Sequence, residues 1–181
     1  MLKVKIKRIS KLFTILFTLA CAANFVSGIF GMSMSVMLYN TAGQAASMTL
    51  EELNAISIYG ELLVTHKWFV MSCGLLAAAA AFVLAFCFFK ARGFAKSFYS
   101  QEEIFTEEKG KKLRLIGLFF LISRALDIVT TLMLVHFNIG DASNVMGNVS
   151  SAVIILLAIY AISLVFDYAH EKENDIELSE D

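Results

Sequence analysis

Proline is absent from the 181 residues, and only ten glycines are present. The residue that most strongly interrupts a helix is therefore missing, which favours long continuous helices. Charge is scarce too, since Asp, Glu, Lys and Arg make up 17% of the chain, against about 25% in soluble domains. Apolar residues reach 58%, and long stretches carry no charge at all. These shortages exclude an ordinary soluble domain and predict an all-α integral membrane protein.

Motifs for catalysis and cofactor binding are also missing. The sequence contains no nucleophile elbow, phosphate-binding loop or HExxH pattern. Its cysteines, Cys21, Cys73 and Cys87, lie in apolar stretches without CxxC spacing, and neither His66 nor His136 has the spacing of a zinc ligand. We therefore predict no catalytic residues, no metal site and no cofactor, and we interpret the protein as non-enzymatic.

Four charge-poor segments are long enough to cross a hydrocarbon core of roughly 30 Å as helices. They are residues 12–38, 68–89, 115–137 and 149–166. At 1.5 Å per residue the first is about 40 Å long, so we expect it to tilt or to protrude. The sequence predicts a single membrane domain built as a four-helix bundle.

The basic residues predict the orientation of these helices. Thirteen of the fifteen lie before the first segment, between the second and third, or after the fourth. Lys and Arg accumulate in cytoplasmic loops, so we expect both termini and loop 90–114 in the cytoplasm and loop 39–67 outside. A cleaved signal peptide is disfavoured, because the first apolar stretch is nearly twice the upper length of about 15 residues for such a signal. A capping pattern from Thr49 to Glu52 predicts a helix start within the outer loop.

Arg124 and Asp127 are charged residues near the middle of the third segment and three positions apart, hence on one helical face. Charged groups at that depth are costly and usually face the bundle interior. Counting from the helix ends places Asn24 at about the depth of Asp127, and Tyr160 nearer the cytoplasm. We predict an intramembrane polar layer of these four residues. It is either a structural ion pair that fixes helix register or a ligand, proton or ion site.

Two regions predicted to be cytoplasmic carry most of the charge. Loop 90–114 has seven basic and four acidic residues with interleaved aromatic side chains, a composition suited to an anionic membrane surface. Residues 167–181 hold seven acidic residues and one lysine. We expect this tail to be a solvated, partly disordered end, or else a docking strip for a basic partner.

Short motifs in these two regions resemble a known family. Residues 104–108, leading through Lys112-Leu113-Arg114 to Ile116-Gly117, are similar to the "PF-x-E-N…K-x-L-R-x-I-G" entry into the third helix of the bacterial membrane family called domain of unknown function 2975 (DUF2975). The ending 173–176 resembles the closing "E-N-D-L" motif of that family. The resemblance implies a small protein of the bacterial inner membrane with no assigned activity. It also implies a gene neighbour encoding a small helix-turn-helix regulator.

The leading functional hypothesis is a regulatory or sensory membrane protein that binds a cytoplasmic partner, such as a helix-turn-helix regulator, and does not bind nucleic acid itself. The candidate docking residues are Phe105, Glu107, Glu108, Glu173, Asn174 and Asp175. The alternative is a small transporter or ion-conducting protein that uses Arg124 and Asp127. The alanines at 77–81 allow close helix packing, either within one chain or against another copy in a homo-oligomer.

Overall fold

The computed structural model describes residues 2–45, 66–100, 106–137 and 142–180, and side chains within 7–40, 66–98, 108–137 and 145–172 together with that of Thr106. The described chain forms four α-helices: α1 is Leu2–Ala45, α2 is Lys67–Ser100, α3 is Glu107–His136 and α4 is Ala142–Glu180. All four are long and apolar enough to cross a membrane, which confirms the predicted all-α, four-helix class. The helix start expected at Thr49 lies outside the described residues.

The ends of α3 show how local sequence sets helix bounds. Thr106 precedes the helix with extended backbone angles, and its hydroxyl accepts a long hydrogen bond of 3.4 Å from the Lys109 amide. This is an N-cap, which satisfies one of the free amides of the first turn. At the other end, the Phe137 amide donates to the Leu134 carbonyl at 3.2 Å. The helices run antiparallel in sequence, so α1 and α3 begin where α2 and α4 end. We call this the basic end and the opposite one the distal end.

The helices pack in chain order. The extensive interfaces are α1 with α2, α2 with α3, and α3 with α4. No comparable interface joins α1 to α4 within the described residues. The array is therefore open along one side, and α1 has a single main packing partner.

Small residues bring α1 and α2 close together. A β-carbon on Gly31 would lie 3.6 Å from the Ala78 β-carbon, which is ordinary contact. One on Gly74 would lie 2.9 Å from the Ser35 β-carbon and would collide with its hydroxyl oxygen. At the basic end, the Ser10 hydroxyl donates to the Ala95 carbonyl. Close backbone approach of this kind holds membrane helices together by dispersion and polar contacts, because lipid supplies no hydrophobic drive between helices.

Two of the alanines at 77–81 are buried within the chain, on two sides of α2, whereas Ala77 is exposed. Ala78 is buried against α1, whereas Ala80 belongs to the interface with α3. There the fully buried Ser123 hydroxyl donates to the Ala80 carbonyl at 3.0 Å. A second bond across this interface runs from the Cys87 thiol to the Ile116 carbonyl at 3.4 Å. The sequence left open whether this small-residue run faces the same chain or another copy, and the structure places Ala78 and Ala80 inside the chain.

The last helix differs from the expectation of a partly disordered tail. α4 continues without interruption to Glu180, well past Phe166, where the predicted spanning segment ends. The physical reason lies in composition, since residues 167–180 contain neither proline nor glycine and are rich in residues with good helix propensity.

Candidate functional site

The intramembrane charges, Arg124 and Asp127, bind each other. An Arg124 guanidinium nitrogen, Nη1, donates to Asp127 Oδ2 at 3.2 Å. The guanidinium also lies over the Phe120 ring, 5.2 Å from its centroid. Both charged side chains are about one-third exposed, at 30% and 33%. The two charges are thus neutralised within one helix, with an aromatic ring covering part of the cation.

The other two residues of the predicted polar layer do not join this pair. The Asn24 amide donates to the Ala20 carbonyl of its own helix at 2.8 Å. Phe25 packs on Phe82, which places Asn24 about 10 Å along the helix axes from the level of Asp127. Tyr160 is 56% exposed and lines a separate groove beside Arg114 and Gly117, toward the basic end. No hydrogen bond links Asn24 or Tyr160 to the pair among the described side chains.

A second charged contact joins α3 to α4 at the basic end. One Arg114 nitrogen, Nη2, donates to both carboxylate oxygens of Asp167, at 3.1 and 2.9 Å. The helices approach closely beside it, because a β-carbon on Gly110 would lie 2.5 Å from Asp167 Oδ1 and 3.6 Å from the Ser163 carbonyl oxygen. We call Gly110, Arg114 and Asp167 the clasp. It fixes the point from which α4 extends beyond the bundle.

Lys109 is the residue that sequence reasoning missed. It belongs to the basic loop 90–114, which the sequence predicts to lie at an anionic membrane surface, yet it is only 1% exposed. Its ammonium group lies over the Phe98 ring, 5.1 Å from the centroid. Phe98 in turn contacts Phe94 and Phe166 through edge-to-face geometry. The phenylalanines interleaved with lysines were the available signal, because an aromatic face is the apolar surface that best accepts a buried cation.

The candidate docking residues within the described ranges lie at the same end but are described to different degrees. Glu108 is exposed and forms an ion pair with Lys112 at 2.7 Å, one turn along α3. Glu107 begins α3. The stretch 173–175 belongs to α4, so Glu173, Asn174 and Asp175 have a helical backbone. Phe105 lies outside the described residues.

The distal end brings the histidines near each other through a shared aromatic ring. His66 and His136 each lie with their ring centroids 5.2 Å from that of Phe137. Within the described ranges, no three His, Cys, Asp or Glu side chains are grouped so that they could hold a metal ion. These histidines act as packing partners of an aromatic residue at the helix ends.

An apolar cavity lies between the four helices on the basic side of the array. Its volume is about 620 Å³. The walls are almost entirely aliphatic and aromatic, and its one hydroxyl, that of Ser10, is bonded to the Ala95 carbonyl. Arg124, Asp127 and Asn24 do not line it. The cavity can therefore accept an apolar group and offers nothing to stabilise an ion.

No protein family, curated protein or solved structure matches this chain.

Proposed function

We propose that this chain is a non-enzymatic regulatory protein of a bacterial inner membrane, with both termini in the cytoplasm, and that its basic end docks a basic cytoplasmic protein. The observation that carries the proposal is the helical extension of α4 beyond the membrane-crossing part of the chain. The orientation rests on the concentration of Lys and Arg at the basic end.

The length of α4 exceeds what crossing a bilayer requires. Its 39 residues span about 58 Å at 1.5 Å per residue, nearly twice the hydrocarbon thickness of roughly 30 Å. The part after Phe166, residues 167–180, is a helix of about 21 Å. Its sequence contains six carboxylates and one lysine. A helix of this charge is repelled by an anionic leaflet and is suited to a positively charged protein surface.

The clasp supports a defined docking surface rather than a loose acidic tail. Arg114 binds Asp167 where α4 leaves the bundle, so the extension starts beside the first turns of α3. Glu173 follows Asp167 by six residues, or about 9 Å of helix. Glu107 and Glu108 of α3 and the stretch 173–175 therefore belong to one end of the molecule. A partner that contacts both regions would bind α3 and α4 at the same time.

The partner class that we propose is a small helix-turn-helix regulator. The resemblance to the DUF2975 family implies such a gene neighbour, and DNA-binding proteins carry the basic surface that an acidic helix attracts. In this proposal the membrane protein holds the regulator at the membrane and does not contact nucleic acid itself.

Transport through Arg124 and Asp127 is the competing proposal, and the observed contacts favour it less. The pair is bonded to itself, and the large cavity is apolar. Vesicles reconstituted with the protein test it, because flux that disappears in Asp127→Asn would favour a transporter over a docking protein.

The test of docking uses the full chain in lipid nanodiscs and the purified regulator encoded beside its gene. The test variant replaces the acidic residues of the extension by Gln or Asn, at positions Glu171, Glu173, Asp175, Glu177 and Glu180. It retains Asp167 and hence the clasp. We expect the Kd to rise at least tenfold, because charge complementarity across an interface sets association rate and specificity. Deleting residues 167–181 should abolish binding.

The matched control neutralises charge on another helix at the same end. Replacing Lys7, Arg8 and Lys11 of α1 with Gln should leave the Kd within twofold. The proposal fails if the wild-type protein does not bind the regulator, or if neutralising the acidic extension leaves the affinity unchanged. A fluorescent protein fused to the carboxyl end that folds only outside the cytoplasm would refute the orientation.

A further inference from the structure

The apolar cavity has dimensions that select its occupant. On α2 the lining runs from Cys87 to Phe98, which is about 16 Å along the helix axis. Half of a hydrocarbon core of roughly 30 Å is one leaflet, so the cavity is about as deep as one leaflet's acyl chains are long. Dividing about 620 Å³ by this length gives a mean cross-section of about 38 Å², which is the area of a circle about 7 Å across. A cavity of this depth and cross-section accommodates an extended acyl chain.

The cavity opens sideways, where lipid chains are found. Its lining residues on the two unpaired outer helices are partly exposed: Ile9 by 54% and Phe13 by 46% on α1, and Ile155 by 42% and Ile162 by 49% on α4. These side chains edge the gap between α1 and α4, which share no extensive interface in the described ranges. An acyl chain could enter from the bilayer without passing through water.

The basic end of the cavity is closed to polar ligands but bordered by positive charge. Phe94 and Phe98 line it there, and Phe166 packs against both rings. On α1, Ile9 lies at the edge of the cavity, which we call its lip. Lys7 and Arg8 precede Ile9, and Lys11 lies two residues after it. These three side chains are exposed, and none has an ion-pair partner among the described residues. Two carboxylates near this level, Glu108 of α3 and Asp167 of α4, are already paired with Lys112 and Arg114.

We propose that this cavity binds one acyl chain of an anionic phospholipid from the leaflet at the basic end. The chain lies along Phe17, Cys87 and Ile116. The headgroup stays at the lip, where Lys7, Arg8 and Lys11 attract its phosphate. The proposal goes beyond partner docking and does not depend on it, because it concerns a different face of the molecule.

Tryptophan quenching by brominated lipids tests the site directly. The only native tryptophan, Trp68, is first changed to Phe. Phe17→Trp then places a reporter in the cavity wall, and Leu16→Trp places a matched reporter one residue away. Leu16 is 49% exposed and does not line the cavity. Each variant is reconstituted in nanodiscs containing phosphatidylglycerol and phosphatidylcholine, with the acyl chains of only one of them brominated.

At equal mole fractions, we expect brominated phosphatidylglycerol to quench Phe17→Trp at least twice as strongly as brominated phosphatidylcholine does. Leu16→Trp reports the surrounding bilayer and should show a much smaller headgroup preference. Replacing Lys7, Arg8 and Lys11 with Gln should remove the excess at position 17, as should 1 M salt, which screens exposed charges beyond about 3 Å.

Several results would overturn the proposal. Equal headgroup preference at positions 16 and 17 would mean that there is no distinct site. Absence of quenching at position 17 by either lipid would mean that the cavity is filled by another part of the protein. Stronger quenching by a brominated free fatty acid than by phosphatidylglycerol would mean that the cavity binds a free fatty acid and not a phospholipid. If Phe17→Trp does not fold, Phe88→Trp places the reporter in the α2 wall of the same cavity.

Discussion

The contact between Gly74 of α2 and Ser35 of α1 provides a sharp test of the α1–α2 interface. A methyl group at position 74 would collide with the Ser35 hydroxyl and lie 2.9 Å from its β-carbon. Ser35 cannot readily yield, because it is only 2% exposed and its hydroxyl donates to the Gly31 carbonyl at 2.6 Å. Gly74→Ala must therefore push the two helices apart or break this bond.

Two opposing effects set the magnitude. Overpacking a close interface costs about 1 to 3 kcal/mol. Alanine in a helix interior is favoured over glycine by roughly 0.5 to 1 kcal/mol. We expect the sterics to win, so that Gly74→Ala lowers the free energy of unfolding by about 1 to 2 kcal/mol. Ser35→Gly combined with Gly74→Ala moves the small residue to the other helix and should recover part of this loss.

Trp68 supplies the assay. It is the only tryptophan, and its ring lies 4.9 Å from that of Tyr39, centroid to centroid, across the same interface. Its fluorescence during denaturation in detergent should therefore follow the separation of α1 from α2. The unfolding midpoint gives the stability difference between variants.

Gly93→Ala is the matched control on the same helix. No side chain of the described residues lies within 4 Å of the position of its added methyl group, so only the helix-propensity gain should remain. We expect this variant to be stabilised by roughly 0.5 to 1 kcal/mol. If Gly74→Ala were as stable as Gly93→Ala, the close packing of α1 on α2 would be refuted.

Two further predictions concern polar side chains within the helices, and the same denaturation assay measures both. Ser123→Ala should cost about 1 kcal/mol, because it removes the bond to the Ala80 carbonyl, whereas Ser33→Ala, on the exposed face of α1, should cost little. Asp127→Asn should cost roughly 2 to 3 kcal/mol, because it leaves the charge of Arg124 unpaired at membrane depth. Changing Arg124 and Asp127 together to Leu should cost less than the sum of the costs of Arg124→Leu and Asp127→Leu. Additive costs would contradict a bonded pair.

Local features of the chain were predictable from its sequence. The four helices follow from charge-poor runs without proline, since a helix satisfies its own backbone within lipid. The contact between Arg124 and Asp127 follows from their spacing of three, because residues three apart are neighbours on any helix. Both predictions need only short-range geometry.

Residues brought together from different helices were not predictable in the same way. Counting from the helix ends placed Asn24 at the depth of Asp127, but the packing of α1 on α2 shifts the two apart. The sequence predicts Lys109 in a loop at an anionic membrane surface, whereas in the structure it is buried and lies over the Phe98 ring of the neighbouring helix. Hydropathy and spacing describe each helix separately, whereas the register between two helices depends on which side chains pack against each glycine.

The sequence by itself thus determined that this is an all-α chain with four helices able to cross a membrane, because hydropathy and helix length are properties of each segment alone. Only the tertiary structure decided that the helices pack in chain order, that Arg114 clasps Asp167, and that a leaflet-deep apolar cavity opens between α1 and α4. These features arise from the relative rotation and sliding of whole helices. The relative positions of the helices depend on the sum of the contacts over all interfaces, so the sequence of one segment does not determine them.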